Sequence, residues 1–264
     1  RQTQDLDAVF KRYRPDVVSH HAAQLSVSMS CKDPMKDASI NIIGTLNVLE
    51  CCARHSVKKI IFASSGGTVY GRPNRFPVAE DAPLQATSPY GIGKVAGEGY
   101  VRFFTETYGL DHTILRYSNV YGPRQNPEGE AGVIAIFCTS LAQGNWPTVF
   151  GLNETGDAGC SRDYVYVADV ARANVMALDR GRNQSLNIAT GVETTTLQLY
   201  RKVCQVMGRA AEPNFGPPRF GDLSRNALDM SRARKALGWE PTTSLADGLT
   251  CTARHYRSMS ATAA

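Results

Sequence analysis

Three short runs of this chain read as buried strands: Asp16 to Ala22, Lys58 to Ser64 and His112 to Tyr117. Between them, Pro34 to Arg54 and Pro89 to Tyr108 carry apolar residues at helical spacing. Strand, helix, strand, helix, strand is the order of an α/β fold, a parallel sheet with helices on its faces. Parallel neighbours can be joined only by a crossover of that length. Ligands on such sheets lie beyond the C-terminal strand ends. Ala22-Ala23-Gln24, Ser64-Ser65 and Ser118-Asn119 each follow a strand, so one crevice should gather all three.

After Tyr121-Gly122-Pro123-Arg124 the texture changes. The pattern predicts a helix near Ala131 to Gln143, a strand at Thr148 to Phe150, and a loop from Gly151 to Ser161. A strand at Tyr164 to Val167, a helix to Arg180 and a strand at Ser185 to Ala189 follow. Helices are expected near Thr196 to Met207, Ser231 to Leu237 and Leu245 to Tyr256, with the Pro-rich stretch Pro213 to Arg219 between two of them. Residues 1–122 read as a nucleotide-binding domain rejoined by 163–190. Residues 123–264 read mostly as a smaller lobe over the crevice.

The 264 residues suffice for a large core, and no apolar run approaches the ~20 residues of a membrane span. A formal charge of +5 with scattered Lys and Arg implies no nucleic acid and no membrane partner; a small anionic ligand accounts for it. The seven cysteines show no Cys-x-x-Cys and no metal-like spacing, and read as reduced thiols of a cytoplasmic protein. His20 and His21 do not form a metal pair, since neighbouring strand residues point to opposite faces.

Chemistry concentrates at Tyr90 and Lys94, four residues apart on one helix face. Ser88 suits the N-cap and Pro89 the first helical position. Ser65, at the preceding strand end, adds a hydroxyl. Free tyrosine titrates near ~10. An ammonium at ~4 Å in an effective dielectric of ~20 would favour the phenolate by about 4 kcal/mol. That spacing predicts a phenol brought into working range as a base. Gly91-x-Gly93 with Gly97 imitates a dinucleotide fingerprint but lies inside the helix, where it cannot be one.

These residues sit within longer motifs. They include Pro15-Asp16-Val17-Val18 with His20-His21-Ala22-Ala23-Gln24, and Asn41-Ile42-Ile43-Gly44-Thr45. Phe62-Ala63-Ser64-Ser65-Gly66-Gly67-Thr68-Val69-Tyr70-Gly71 and Ser88-Pro89-Tyr90 with Lys94 come next. Leu115-Arg116-Tyr117-Ser118-Asn119-Val120-Tyr121-Gly122, Arg162-Asp163-Tyr164-Val165-Tyr166-Val167 and Arg219-Phe220-Gly221-Asp222 complete the set. In this order, from about Arg14 to Arg257, the chain resembles the extended short-chain dehydrogenase/reductases, and within them the UDP-glucose (UDP-galactose) 4-epimerase branch.

The resemblance implies a Rossmann-like sheet, NAD as cofactor and a UDP-sugar as substrate. It implies catalysis by Ser65, Tyr90 and Lys94: Tyr90 as base for the sugar 4-hydroxyl, Lys94 on the cofactor ribose, Ser65 on the reacting oxygen. Thr68 competes with Ser65, because Gly66-Gly67 shifts the register. Hydride leaves C4 for NAD, the 4-keto sugar turns over, and the hydride returns to its other face. Cofactor contacts fall on Ala22, Ala23, Asn41, Ser64, Tyr90, Lys94 and Ser118; Asn41 reads equally as a residue fixing a helix kink. Substrate contacts fall on Ser65, Tyr90, Asn119, Val133, Phe150, Arg162, Arg219 and Asp222. A homodimer through the helices bearing Asn41 and Tyr90 is implied as well. Arg116 reads as a structural ion-pair partner, the Cys160 thiol as inert, and His21 departs from the usual apolar residue.

Dehydratases of this family carry an Asp-Glu pair where Gly67 and Thr68 stand, and decarboxylases usually a glutamate, so plain epimerisation is favoured. UDP-glucuronate and UDP-N-acetylhexosamine epimerases remain alternatives. Family members also open with a strand, a Gly-rich turn and a helix that hold the pyrophosphate, and nothing of the kind precedes Asp16. The chain therefore reads as N-terminally truncated. The alternative is a non-catalytic nucleotide-sugar-binding homologue lacking NAD.

Overall fold

The structure is a computed structural model that describes residues 2–127, 132–151, 159–210, 212–217 and 223–262. Helix α1 (Thr3–Tyr13) leads into strand β1 (Val17–His20). Helices α2 (Val27–Lys32), α3 (Pro34–Ala38) and α4 (Gly44–Arg54) follow, with one π-helical turn, Ser39–Ile43, joining α3 to α4. Strand β2 (Lys59–Ser65), helix α5 (Pro89–Tyr108) and strand β3 (Asp111–Tyr117) complete the alternating part.

Beyond it come β4 (Asn119–Tyr121), α6 (Val133–Ala142), β5 (Thr148–Phe150), β6 (Ser161–Tyr166) and α7 (Val167–Met176). Strands β7 (Gln184–Ile188) and β8 (Glu193–Thr195), α8 (Thr196–Met207), β9 (Asn214–Gly216), α9 (Ser231–Leu237) and α10 (Leu245–Thr262) end the chain. Among the described residues no helix is long and apolar enough to cross a membrane. The seven cysteines are free thiols.

The main sheet is parallel, in the order β1-β2-β3-β7. Alternation along β2 decides its two faces. Ile60 and Phe62 join Leu49, Val101 and Phe104 beneath α4 and α5. Ile61 joins Leu115, Val170, Leu186, Leu237 and Trp239 beneath α7 and α9. A separate core of Ile134, Phe137, Leu199, Tyr200, Val203 and Leu249 unites α6, α8 and α10 into the smaller lobe.

Local chemistry fixes α5, the helix that carries Tyr90. The Ser88 hydroxyl accepts from the Gly91 N–H at 3.2 Å, Pro89 opens the first turn, and Gly109 at φ 70° ends the helix. Gly97 lets this helix approach β2: a Cβ there would stand 2.6 Å from the Phe62 ring edge. Two stretches without helical or strand periodicity are ordered by contacts. Ser26 caps α2 by accepting from the Met29 N–H, and Asn214–Gly216, inside the Pro-rich stretch, pairs with β5.

Candidate active site

A cavity of about 760 Å³ opens at the C-terminal ends of β2 and β3, where the smaller lobe faces the sheet. Ser64, Ser65, Thr68, Tyr90, Ser118 and Asn119 line it from the sheet side; Val133, Phe150 and Arg162 line it from the other. These residues lie far apart in sequence and meet here. Arg219 and Asp222 lie outside the described residues. Ala22, Ala23, Asn41 and Lys94 are not in the lining, although Leu25, Val27 and Ser28 from the segment after β1 are. Among the described lining residues Arg162 is the single cationic side chain and none is Asp or Glu.

Two hydrogen bonds and one contact between hydroxyls tie α5 to the end of β2. The Tyr90 phenol meets the Ser65 hydroxyl, the Lys94 ammonium donates to the Ala63 carbonyl at 2.9 Å, and the Ser64 hydroxyl donates to Glu98 at 2.7 Å. Tyr90, Lys94 and Glu98 stand at four-residue intervals, so one helix face supplies all three. Glu98 is fully buried and also accepts two hydrogen bonds from Arg116, at 2.9 and 2.6 Å, and one from Arg102 at 2.8 Å. Arg116 is thus an ion-pair partner inside the sheet. Ser64 lines the cavity, but its hydroxyl is committed to Glu98.

The electrostatics differ from the sequence expectation. Burial pushes the Tyr90 phenol up to about 12; its bond to Ser65 opposes this and the nearby Asp37 carboxylate adds to it. Burial lowers Lys94 to about 8, against the pull of Asp37. The Lys94 ammonium stands 5.8 Å from the Tyr90 ring centroid and points to the Ala63 carbonyl. Four-residue spacing brought the two side chains onto one face, yet the long lysine arm reached past the phenol. Burial, and not the Lys94 charge, sets the direction of the tyrosine shift in this arrangement. Thr68 donates weakly, at 3.5 Å, to the Ser65 carbonyl, whereas Ser65 directly engages the phenol.

Asn41 sits in the π-helical turn, the kind of local distortion often found at functional sites. Its amide oxygen accepts from the Gln24 N–H at 2.9 Å, and its nitrogen donates to the Gln24 carbonyl and to Asp37, each at 3.0 Å. The buried side chain fixes the segment after β1, from the kinked helix. The Ser118 hydroxyl reaches Asp163 at 3.5 Å. Asp163, fully buried, accepts from the Thr190 and Gly191 N–H groups at 2.9 and 2.8 Å and braces the loop behind the cavity. Sequence reading assigned no role to Glu98 or Asp163. The four-residue continuation of Tyr90 and Lys94 could have marked Glu98.

NAD can be tested against these residues. An ammonium has three donors, and among the described residues buried Lys94 has one acceptor, the Ala63 carbonyl. Two donors remain next to the Tyr90 ring, which fits a pair of ribose hydroxyls.

The model of the NAD dependent epimerase/dehydratase family matches residues 1–189. The chain belongs to that family. It is 44% identical over 257 residues to the UDP-glucose 4-epimerase of Mycolicibacterium smegmatis, covering 97% of this chain and 80% of that protein. The crystal structure of the Thermotoga maritima UDP-glucose 4-epimerase with UDP-glucose superposes with a TM-score of 0.94 at 44% identity, covering 98% of this chain and 82% of that one. The Thermus thermophilus UDP-glucose 4-epimerase complex with NAD gives 0.91 at 40% identity, over 97% and 82%.

Proposed function

We propose that the protein interconverts UDP-glucose and UDP-galactose by inverting C4 of the bound hexose, with NAD as cofactor. The observation that carries this reading is the Tyr90 phenol and Ser65 hydroxyl meeting at a cavity whose described lining holds no carboxylate. A hydroxyl entering between the two would be held by both. Once ionised in the cofactor-bound enzyme, Tyr90 would accept its proton and later return it, while Ser65 donates to the reacting oxygen. NAD, when bound, supplies the acceptor and donor of the hydride. Eliminating water would need a further acid and base, and Gly67 and Thr68 occupy the positions from which they would act.

Lys94 would hold the cofactor ribose, with Ala22, Ala23 and Ser118 along the cofactor and Asn41 acting through the Gln24 backbone. Arg162 would grip the diphosphate, since guanidinium offers paired donors to phosphate oxygens. Asn119, Val133 and Phe150 would hold the rest of the nucleotide sugar, together with Arg219 and Asp222. Residues 1–122 with 163–190 would form the cofactor domain, and 123–264 mostly the sugar-nucleotide lobe. Ile43, Ile92 and Phe103 are each about half exposed, which supports a homodimer through the helices bearing Asn41 and Tyr90. Seven free thiols suit the cytoplasm. The test is to supply UDP-galactose and NAD and follow UDP-glucose; no conversion, with the protein folded, overturns the reading.

A further inference from the structure

His21 keeps an exposed edge while its imidazole packs inward, and both its ring nitrogens are engaged. Nδ1 lies 3.3 Å from the Ser19 hydroxyl and Nε2 lies 3.1 Å from the Tyr117 phenol oxygen. The imidazole stacks on the Tyr117 ring, with centroids 6.0 Å apart and planes at 19°. From the other side Asn174, on α7, donates to the same phenol at 2.9 Å and, at 2.9 Å, to the Val170 carbonyl of its own helix. The Tyr117 hydroxyl is therefore held between β1 and α7. Its ring lines the cavity, and its backbone is the register partner of Ser65.

We propose that His21 is a positioning residue for the reaction: with Asn174 it locks the Tyr117 ring as a fixed floor of the cavity beside Ser65. The proposal rests on the epimerase reading. An apolar residue at position 21 could stack on the ring but could not hold its hydroxyl. A tyrosine tethered at its far end has lost the freedom to tilt about χ1 and χ2. Ring position beside the reacting centre matters more than ring position elsewhere, because small displacements of a bound reactant are costly in rate. Burial, and then the charge of Lys94, lower the His21 pKa, so the ring stays neutral and able to serve as donor to one neighbour and acceptor from the other.

The effect should fall on kcat and not on KM. Arg162, Val133 and Phe150 line the cavity from the other side and would keep their grip. His21→Leu should lower kcat about threefold to tenfold, the range one net hydrogen bond represents, and Tyr117→Phe at least as much, because it also removes the Asn174 bond. KM for UDP-galactose should stay within about twofold, since uniform binding is untouched. The double variant should be no slower than Tyr117→Phe alone, because the phenylalanine already removes the bond that His21 makes. His21→Gln, which keeps a donor, should restore more than half the rate.

Independently of turnover, ring-labelled tyrosine NMR on the full protein should show slow flipping of Tyr117 in the wild type and faster flipping in His21→Leu. Unchanged kcat and flipping in His21→Leu, or additive losses in the double variant, would overturn the proposal while leaving the epimerase reading intact. If the wild type is inert toward UDP-galactose, the function fails, and the flipping comparison alone still decides whether His21 holds Tyr117.

Discussion

The Lys94 ammonium donates to the carbonyl oxygen of Ala63, two residues before the strand-end serine that meets Tyr90. The bond braces helix against strand. It also leaves a buried cation with one described acceptor, and its burial has a measurable consequence.

Folding lowers Lys94 from 10.5 to about 8. Below pH 8 both states hold the proton and the folded state bears the full penalty of burying it. Between about 8 and 10.5 the unfolded chain holds more protons, so stability rises with pH across that window. Tyr90, raised from 10 to about 12, opposes this only above pH 10. Chemical denaturation of wild type and Lys94→Met should show a difference that grows by about 2 kcal/mol in favour of wild type from roughly pH 7.5 to roughly pH 9.5. A pH-independent difference would mean that Lys94 is not buried as a cation at neutral pH.

Ser65 and Thr68 can be separated by rate. Ser65 faces the phenol, while Thr68 makes a long contact to a carbonyl. Ser65→Ala should lower kcat by about a hundredfold, in the range of a lost transition-state hydrogen-bond donor. Thr68→Ala should stay within about threefold. Steady-state turnover of UDP-galactose decides between them, and the reverse ranking would transfer the role to Thr68.

Glu98 accepts from Arg116, Arg102 and Ser64 while fully buried. Removing its charge leaves the buried Arg116 guanidinium uncompensated. Glu98→Gln should cost about 3 kcal/mol or more in denaturant unfolding, and Ser64→Ala about 1 kcal/mol. Equal, small effects would show that the ion pair does not organise this face of α5.

Helix α5 was legible to the residue, because its cap, its first-turn proline and its terminal glycine are local signals. The parallel alternation followed from three strands and two crossovers, whereas the place of β7 beside β3 is set by tertiary pairing. Helix α2 was not legible: Val27–Lys32 alternates small polar and apolar residues, and only the Ser26 cap and its neighbours order it. Strand β9 exists through β5, a partner more than sixty residues away. The bond from Lys94 to Ala63 was hidden for the same reason. Spacing places a side chain on a face but does not say which acceptor a four-carbon arm will reach. His21 stood unexplained because its partner, Tyr117, is 96 residues distant and reached across a strand.

Asn41 poses the sharpest test of contact against scaffold. Its amide oxygen accepts from Gln24, and its amide nitrogen donates to the Gln24 carbonyl and to the Asp37 carboxylate. Asn41→Ala removes all three bonds from a buried site and should cost about 2 kcal/mol, since the Gln24 backbone loses its partners. Asn41→Asp keeps the acceptor, yet places a second carboxylate against Asp37 and an oxygen against a carbonyl oxygen. If Asn41 is a scaffold, Asn41→Asp is the less stable variant at neutral pH, because like charges at this distance cannot both ionise cheaply. One proton relieves that repulsion, so the gap between the two variants should narrow as pH falls below neutral. Thermal melts of both variants across that range measure it. A stable Asn41→Asp with weakened NAD binding would instead make Asn41 a direct cofactor contact.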